Sequence, residues 1–88
     1  MSYRVLWTPE AESQLEAIVS NSDEKQRFLK IAAGIDRSLH VDPIGFGESR
    51  TDTLRIGFAR PLGIQYDVLE DVATVVVYDV WRVATRSQ

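Results

Sequence analysis

The sequence predicts an α+β protein of order β-α-α-β-β-β, a two-helix hairpin packed on an antiparallel sheet. Three observations lead there. Between Thr8 and Asp42 apolar residues recur at helical spacing, from Gly45 onward they alternate with period two, and Pro9 and Pro43 stand at the borders.

Tyr3 to Trp7 alternates apolar with polar residues and reads as a short first strand. Thr8-Pro9-Glu10 supplies an N-cap, a proline at the first helical position and acid in the first turn. Ala11, Leu15, Ile18 and Val19 give this helix one apolar face, and Ser20-Asn21-Ser22-Asp23 breaks it. A second helix, starting near Asp23, carries Phe28, Ile31, Ala32, Ile35 and Leu39 in one stripe. It stops at Asp42-Pro43, because a residue before proline is steered out of the helical region.

Gly45-Phe46-Gly47 reads as a flexible turn. Thr53 to Phe58 then places Leu54, Ile56 and Phe58 on one face of a strand. Arg60-Pro61-Leu62-Gly63 is a turn, since Pro61 lacks the N–H that a central strand needs. Ile64, Tyr66 and Val68 form the next alternating set, and Glu70-Asp71 marks a hairpin turn. Thr74 to Val83 holds Val75, Val76, Val77, Tyr78, Val80 and Trp81, apolar on both faces, as a central strand under helices would be. Two helices cover one face of a three- or four-stranded sheet and leave the other partly open. No repeat, linker or low-complexity run interrupts the chain, so residues 1–88 read as one domain.

Eighty-eight residues allow one modest core, and 44% hydrophobic residues with eight aromatics argue against disorder. The absence of cysteine excludes disulfides and thiolate metal sites, and a single histidine, His40, argues against a histidine zinc site. No cofactor or metal is expected. No apolar stretch is long enough for a signal-peptide core or a membrane span, so the expectation is a soluble, cytoplasmic protein with no membrane contact.

A net charge of −3 disfavours a simple nucleic-acid binder. The distribution is more informative. Residues 1–44 carry Arg4, Lys25, Arg27, Lys30 and Arg37, whereas residues 45–88 carry Arg50, Arg55, Arg60, Arg82 and Arg86 with no lysine. Arginine suits bidentate recognition of carboxylate or phosphate.

The layout and several motifs resemble the RelE/ParE toxin superfamily over essentially the whole chain. Tyr3-Arg4-Val5-Leu6-Trp7-Thr8-Pro9-Glu10-Ala11-Glu12 is similar to that family's passage from strand to helix. Leu39, Asp42-Pro43 and Gly47-Glu48-Ser49-Arg50 resemble its helix exit and loop into the sheet. Leu54-Arg55-Ile56, Pro61-Leu62-Gly63-Ile64-Gln65-Tyr66 and Val80-Trp81-Arg82 resemble the sheet of its plasmid-stabilisation-like members. The resemblance implies a bacterial growth-inhibiting toxin, neutralised by a cognate antitoxin protein. RelE-like members cut messenger RNA on the ribosome and ParE-like members poison DNA gyrase. One fold serves both, so fold does not choose between them.

Metal-independent RNA cleavage needs a base for the 2′-hydroxyl, cations for the phosphorane and an acid for the leaving 5′-oxygen. Arg50, Arg55, Arg60 and Arg82 are the candidate cations, and Glu48 is the candidate base. Tyr66 and Tyr78 are candidates to donate a proton or to stack on a base. Of the arginines, Arg82 matches the family best, with Arg60 and Arg55 after it. Two departures bear on catalysis: the sheet region has no lysine, and Val83-Ala84-Thr85-Arg86-Ser87-Gln88 holds neither tyrosine nor histidine.

Each candidate also has an ordinary structural role. Glu48 and Arg50 would salt-bridge across a loop, Arg82 would be a solvated strand end, and His40 would face the negative end of the helix dipole. Trp7, Trp81, Tyr66 and Tyr78 would be packing aromatics, and Glu10, Glu12 and Glu16 the wet face of the first helix. The leading function is a toxin with ribosome-dependent endoribonuclease activity, on the strength of Glu48 and the arginines; the alternatives are a gyrase-inhibiting toxin that needs a surface but no catalytic group, and a non-toxic relative that only binds an antitoxin. Oligomeric state is left open.

Overall fold

The computed structural model describes residues 2–83; Arg86 and its neighbours lie outside the described residues. Strand β1 (Arg4–Trp7) leads into helix α1 (Pro9–Ser20), helix α2 (Lys25–Val41) and a single helical turn, α3 (Pro43–Phe46). Strands β2 (Gly47–Thr51), β3 (Leu54–Ala59), β4 (Leu62–Leu69) and β5 (Thr74–Arg82) follow. They form one five-stranded sheet of order β1-β5-β4-β3-β2.

The α+β class and the helical hairpin on a sheet stand as read from the sequence. The sheet differs in two respects. It is mixed, because β1 pairs parallel to β5, Val5 opposite Val75 and Trp7 opposite Val77. It also has an extra strand, because Gly47–Thr51, read from the sequence as a turn ending at Gly47 and a loop through Arg50, pairs antiparallel with β3. That segment, Gly-Glu-Ser-Arg-Thr, has no apolar alternation, and its extended form comes from the neighbour's hydrogen bonds rather than from burial.

Local chemistry explains the helix ends. The Thr8 hydroxyl accepts from the Ala11 N–H at 3.1 Å, with proline next in the chain, and α1 starts there. The Asp42 carboxylate accepts from the Gly45 N–H at 3.0 Å, so the residue that ends α2 also caps α3. His40, in the last turn of α2, donates its Nδ1–H to the Tyr3 carbonyl at 2.6 Å, while the Tyr3 N–H donates to the His40 carbonyl at 2.9 Å. His40 therefore fastens β1 to α2, beyond the dipole role read for it.

Both helices lie on one face of the sheet. The core between them joins Ala11, Phe28, Ile35 and Leu39 to Leu62, Ile64, Tyr66, Val75 and Val77. Because side chains alternate along a strand, Leu54, Ile56 and Phe58 point to the opposite, open face. Leu6 shares that face, and so does Trp81, which packs against Gly63 and meets Phe58 edge-on at 6.1 Å between ring centroids. A bulge near Tyr66 and Val77 shifts the register between β4 and β5.

Candidate functional site

The seven residues that sequence reasoning put forward do not converge on one site. Glu48 is exposed on β2 opposite Ile56, which places it on the open face. Arg82 ends β5 opposite Leu62 and turns to the helix side, its guanidinium carbon 5.2 Å from the centre of the Phe28 ring. The two residues thus sit on opposite faces. Their strands are separated by two others, about 14 Å at the usual spacing of about 4.8 Å. A single phosphate could not be shared between them.

Arg55 faces the helix side with Tyr66. Its Nη2 donates to the Ile44 carbonyl at 2.8 Å and to the Gly47 carbonyl at 3.0 Å, which clamps α3 and the start of β2 onto the sheet. Tyr66 has no exposed surface, and its hydroxyl donates to the Pro43 carbonyl at 2.7 Å. Burial pushes this hydroxyl above its ordinary value, opposed by the nearby Arg55 guanidinium. A nucleobase has no ring face of Tyr66 to stack on, because core side chains occupy the space. Arg50 is exposed on the edge strand β2 and, among the described residues, forms no ion pair with Glu48.

Tyr78 is 41% exposed and donates its hydroxyl to Asp67 Oδ2 at 2.7 Å, while the Thr53 hydroxyl donates to Asp67 Oδ1 at 2.9 Å. The hydrogen bond to Asp67 favours the protonated phenol and raises the Tyr78 value. Arg60 is exposed in the β3–β4 turn and shares a shallow hollow of about 420 Å³ with Arg37 and Phe46 on the helix side. Sequence reasoning missed Arg37 as Arg60's neighbour, since α2 and the turn lie far apart in the chain.

The open face mixes apolar and polar side chains: the register places Arg4, Glu48, Gln65 and Asp67 on it, and the Tyr78 hydroxyl reaches Asp67 there. Phe58 is 49% and Leu6 46% exposed there, beside the half-buried Leu54, Ile56, Val76 and Trp81. On the other side of the molecule, α1 and α2 border a second feature, a groove of about 900 Å³.

With this geometry in hand, the comparisons define the class: the chain has the RelE/ParE toxin fold. The toxin–antitoxin complex RelBE2 of Mycobacterium tuberculosis matches at a TM-score of 0.77 and 15% identity, covering 93% of this chain and 99% of that one. A chromosomal ParDE system of P. aeruginosa matches at a TM-score of 0.70 and 19% identity, covering 94% and 98%. The isolated RelE toxin of E. coli matches at 0.68 and 12%, covering 97% and 88%. No protein-family model and no curated protein matches the sequence. At these identities the likeness is one of fold. Among the described residues, no helix is long and apolar enough to cross a membrane.

Proposed function

We propose that the protein is the toxin component of a type II toxin–antitoxin pair and acts by binding a protein target rather than by cutting messenger RNA. One observation carries the choice of mode. The open sheet face exposes Phe58 and Leu6 beside Trp81, while Arg55, Arg60 and Arg82, the arginines that match the nuclease pattern, are directed elsewhere. A face built from Phe58, Trp81 and Leu6 suits a protein surface, not a phosphate backbone. Of the two targets that the resemblance implies, DNA gyrase fits such a face. The antitoxin partner rests on the fold, whose solved examples include the complexes RelBE2 and RelBE.

A second reading, the ribosome-dependent endoribonuclease, is favoured by the Tyr78–Asp67 pair. There the raised phenol stays protonated at neutral pH and would serve as the acid for the leaving oxygen.

Induced expression in a bacterial host separates the readings. Wild type and Arg82→Met should both arrest growth, and Phe58→Glu should relieve the arrest while keeping its circular dichroism. Purified wild type should block DNA supercoiling. Cleaved transcripts, with relief by Tyr78→Phe, would move the nuclease to the front. Soluble wild type that leaves growth unchanged would overturn the toxin reading and leave the non-toxic, antitoxin-binding role.

A further inference from the structure

The two edges of the sheet are treated differently. On the β1 side, the Tyr3 N–H donates to the His40 carbonyl at 2.9 Å, which ties the start of that edge to α2. Beyond the end of β1, where β5 would lose its neighbour, the Gln14 side-chain oxygen accepts from the Val80 N–H at 2.8 Å. Strand β2 has no such cover. It pairs only with β3, and its residues from Glu48 to Thr51 are exposed. Among the described residues, no backbone hydrogen bond reaches those four from outside the β2–β3 hairpin. A row of unpaired N–H and C=O groups is a template for another strand.

Edges are ordinarily blunted by lysine or proline, and Gly-Glu-Ser-Arg-Thr has neither. It carries instead one charge of each sign, on either side of Ser49. Glu48 lies opposite the apolar Ile56, and the irregularity between Ser49 and Thr51 leaves Arg50 without a partner on β3. Neither side chain forms an ion pair among the described residues.

This charge pattern is complementary to itself when the strand is reversed. In an antiparallel pair centred on Ser49, Glu48 stands opposite Arg50 of the partner subunit, and Arg50 opposite Glu48 of the partner subunit. A register moved by two residues in either direction sets glutamate on glutamate or arginine on arginine, so the charges select one alignment.

We propose that β2 is a self-association edge: two copies of this chain pair antiparallel about Ser49 through crossed Glu48–Arg50 ion pairs, which joins their two five-stranded sheets into one. The inference does not rest on the toxin reading. Five residues per copy, one of them bulged, make a contact smaller than the about 1,000 Å² of a lasting interface, so the dimer is a reversible one that needs a protein concentration above about 10 µM.

Sedimentation equilibrium of the full chain from about 10 µM to about 1 mM should show monomer and dimer in exchange, with less dimer at high salt. Glu48→Arg and Arg50→Glu should each raise the dissociation constant at least about tenfold, because every crossed pair becomes a like-charge pair. Mixed in equal amounts, the two variants should associate with each other about as tightly as wild type does with itself. That recovery separates pairing at β2 from a structural role of either residue, since each variant alone carries the same defect. A wild type that stays monomeric over the whole range would overturn the proposal. So would a dimer indifferent to both substitutions, as one held through Phe58 and Trp81 would be, or two variants that stay apart when mixed.

Discussion

Tyr66 and Arg55 show what a single side chain decides here. The Tyr66 hydroxyl is buried with its hydrogen bond to Pro43, so Tyr66→Phe leaves a buried carbonyl without its donor. The expected cost is about 1–3 kcal/mol, read as a lower urea midpoint at neutral pH. The same site gives a pH dependence. Burial raises the hydroxyl above its ordinary value, so the folded protein holds this proton more tightly than the unfolded chain does. The resulting stability is fully present below the unfolded value of about 10 and is lost as pH rises through the folded value. Tyr66→Phe should therefore flatten the alkaline limb of the stability profile, and a limb that is as steep as in wild type would count against this account. Arg82 shields the Phe28 ring, a contact worth about 0.5–1 kcal/mol at an exposed site. For that reason Arg82→Met, which keeps an apolar cover, reports on function more cleanly than alanine.

Among the elements, β2 depends most on its neighbours. It lies at the sheet edge, pairs only with β3, and its start is pinned by the two Arg55 hydrogen bonds. Arg55→Met removes both donors, so amides of β2 should exchange faster with solvent while those of β4 and β5 stay protected. Gly63 governs the other end of the open face. A Cβ there would meet the Trp81 indole at 2.7 Å, so Gly63→Ala should push the ring outward, cost about 1–3 kcal/mol and move the Trp81 indole resonance. In the turn before β5, Ala73 holds φ 48, a left-handed conformation that glycine adopts without penalty. Ala73→Gly should raise stability by about 0.5–1 kcal/mol in urea denaturation.

For the molecule as a whole, the faces carry different chemistry. The open sheet face gathers Phe58, Leu6 and Trp81, the groove between the helices is acidic-rimmed, and the hollow beyond α2 is lined by Arg37 and Arg60. A net charge of −3 conceals this separation. It has a measurable consequence. A protein target that docks mainly on Phe58, Leu6 and Trp81 should lose little affinity as salt rises from about 50 mM to about 500 mM, whereas one held by Arg37 and Arg60 should bind markedly more weakly.

The sequence by itself determined the two long helices and the three strongest strands, whereas the turn of helix at Pro43–Phe46 reads in the sequence as a flexible turn. Thr8-Pro9 and Asp42-Pro43 are local signals, and the apolar periods of α2 and β5 are written in consecutive residues. The resemblance to the RelE/ParE fold was legible for the same reason, since it rests on the order of such signals. Tertiary structure decided the rest. Strand β2 has no apolar pattern of its own and exists because β3 offers it hydrogen bonds, and nothing local to β1 specifies a parallel partner 70 residues away, Arg4 opposite Thr74. The candidate site followed the same division. Residue types identified Glu48, Arg55, Tyr66 and Arg82 as chemically capable, but the face on which a strand residue emerges depends on register and on which side the helices pack. Those are properties of the assembled sheet, and they sent Glu48 and Arg82 to opposite faces.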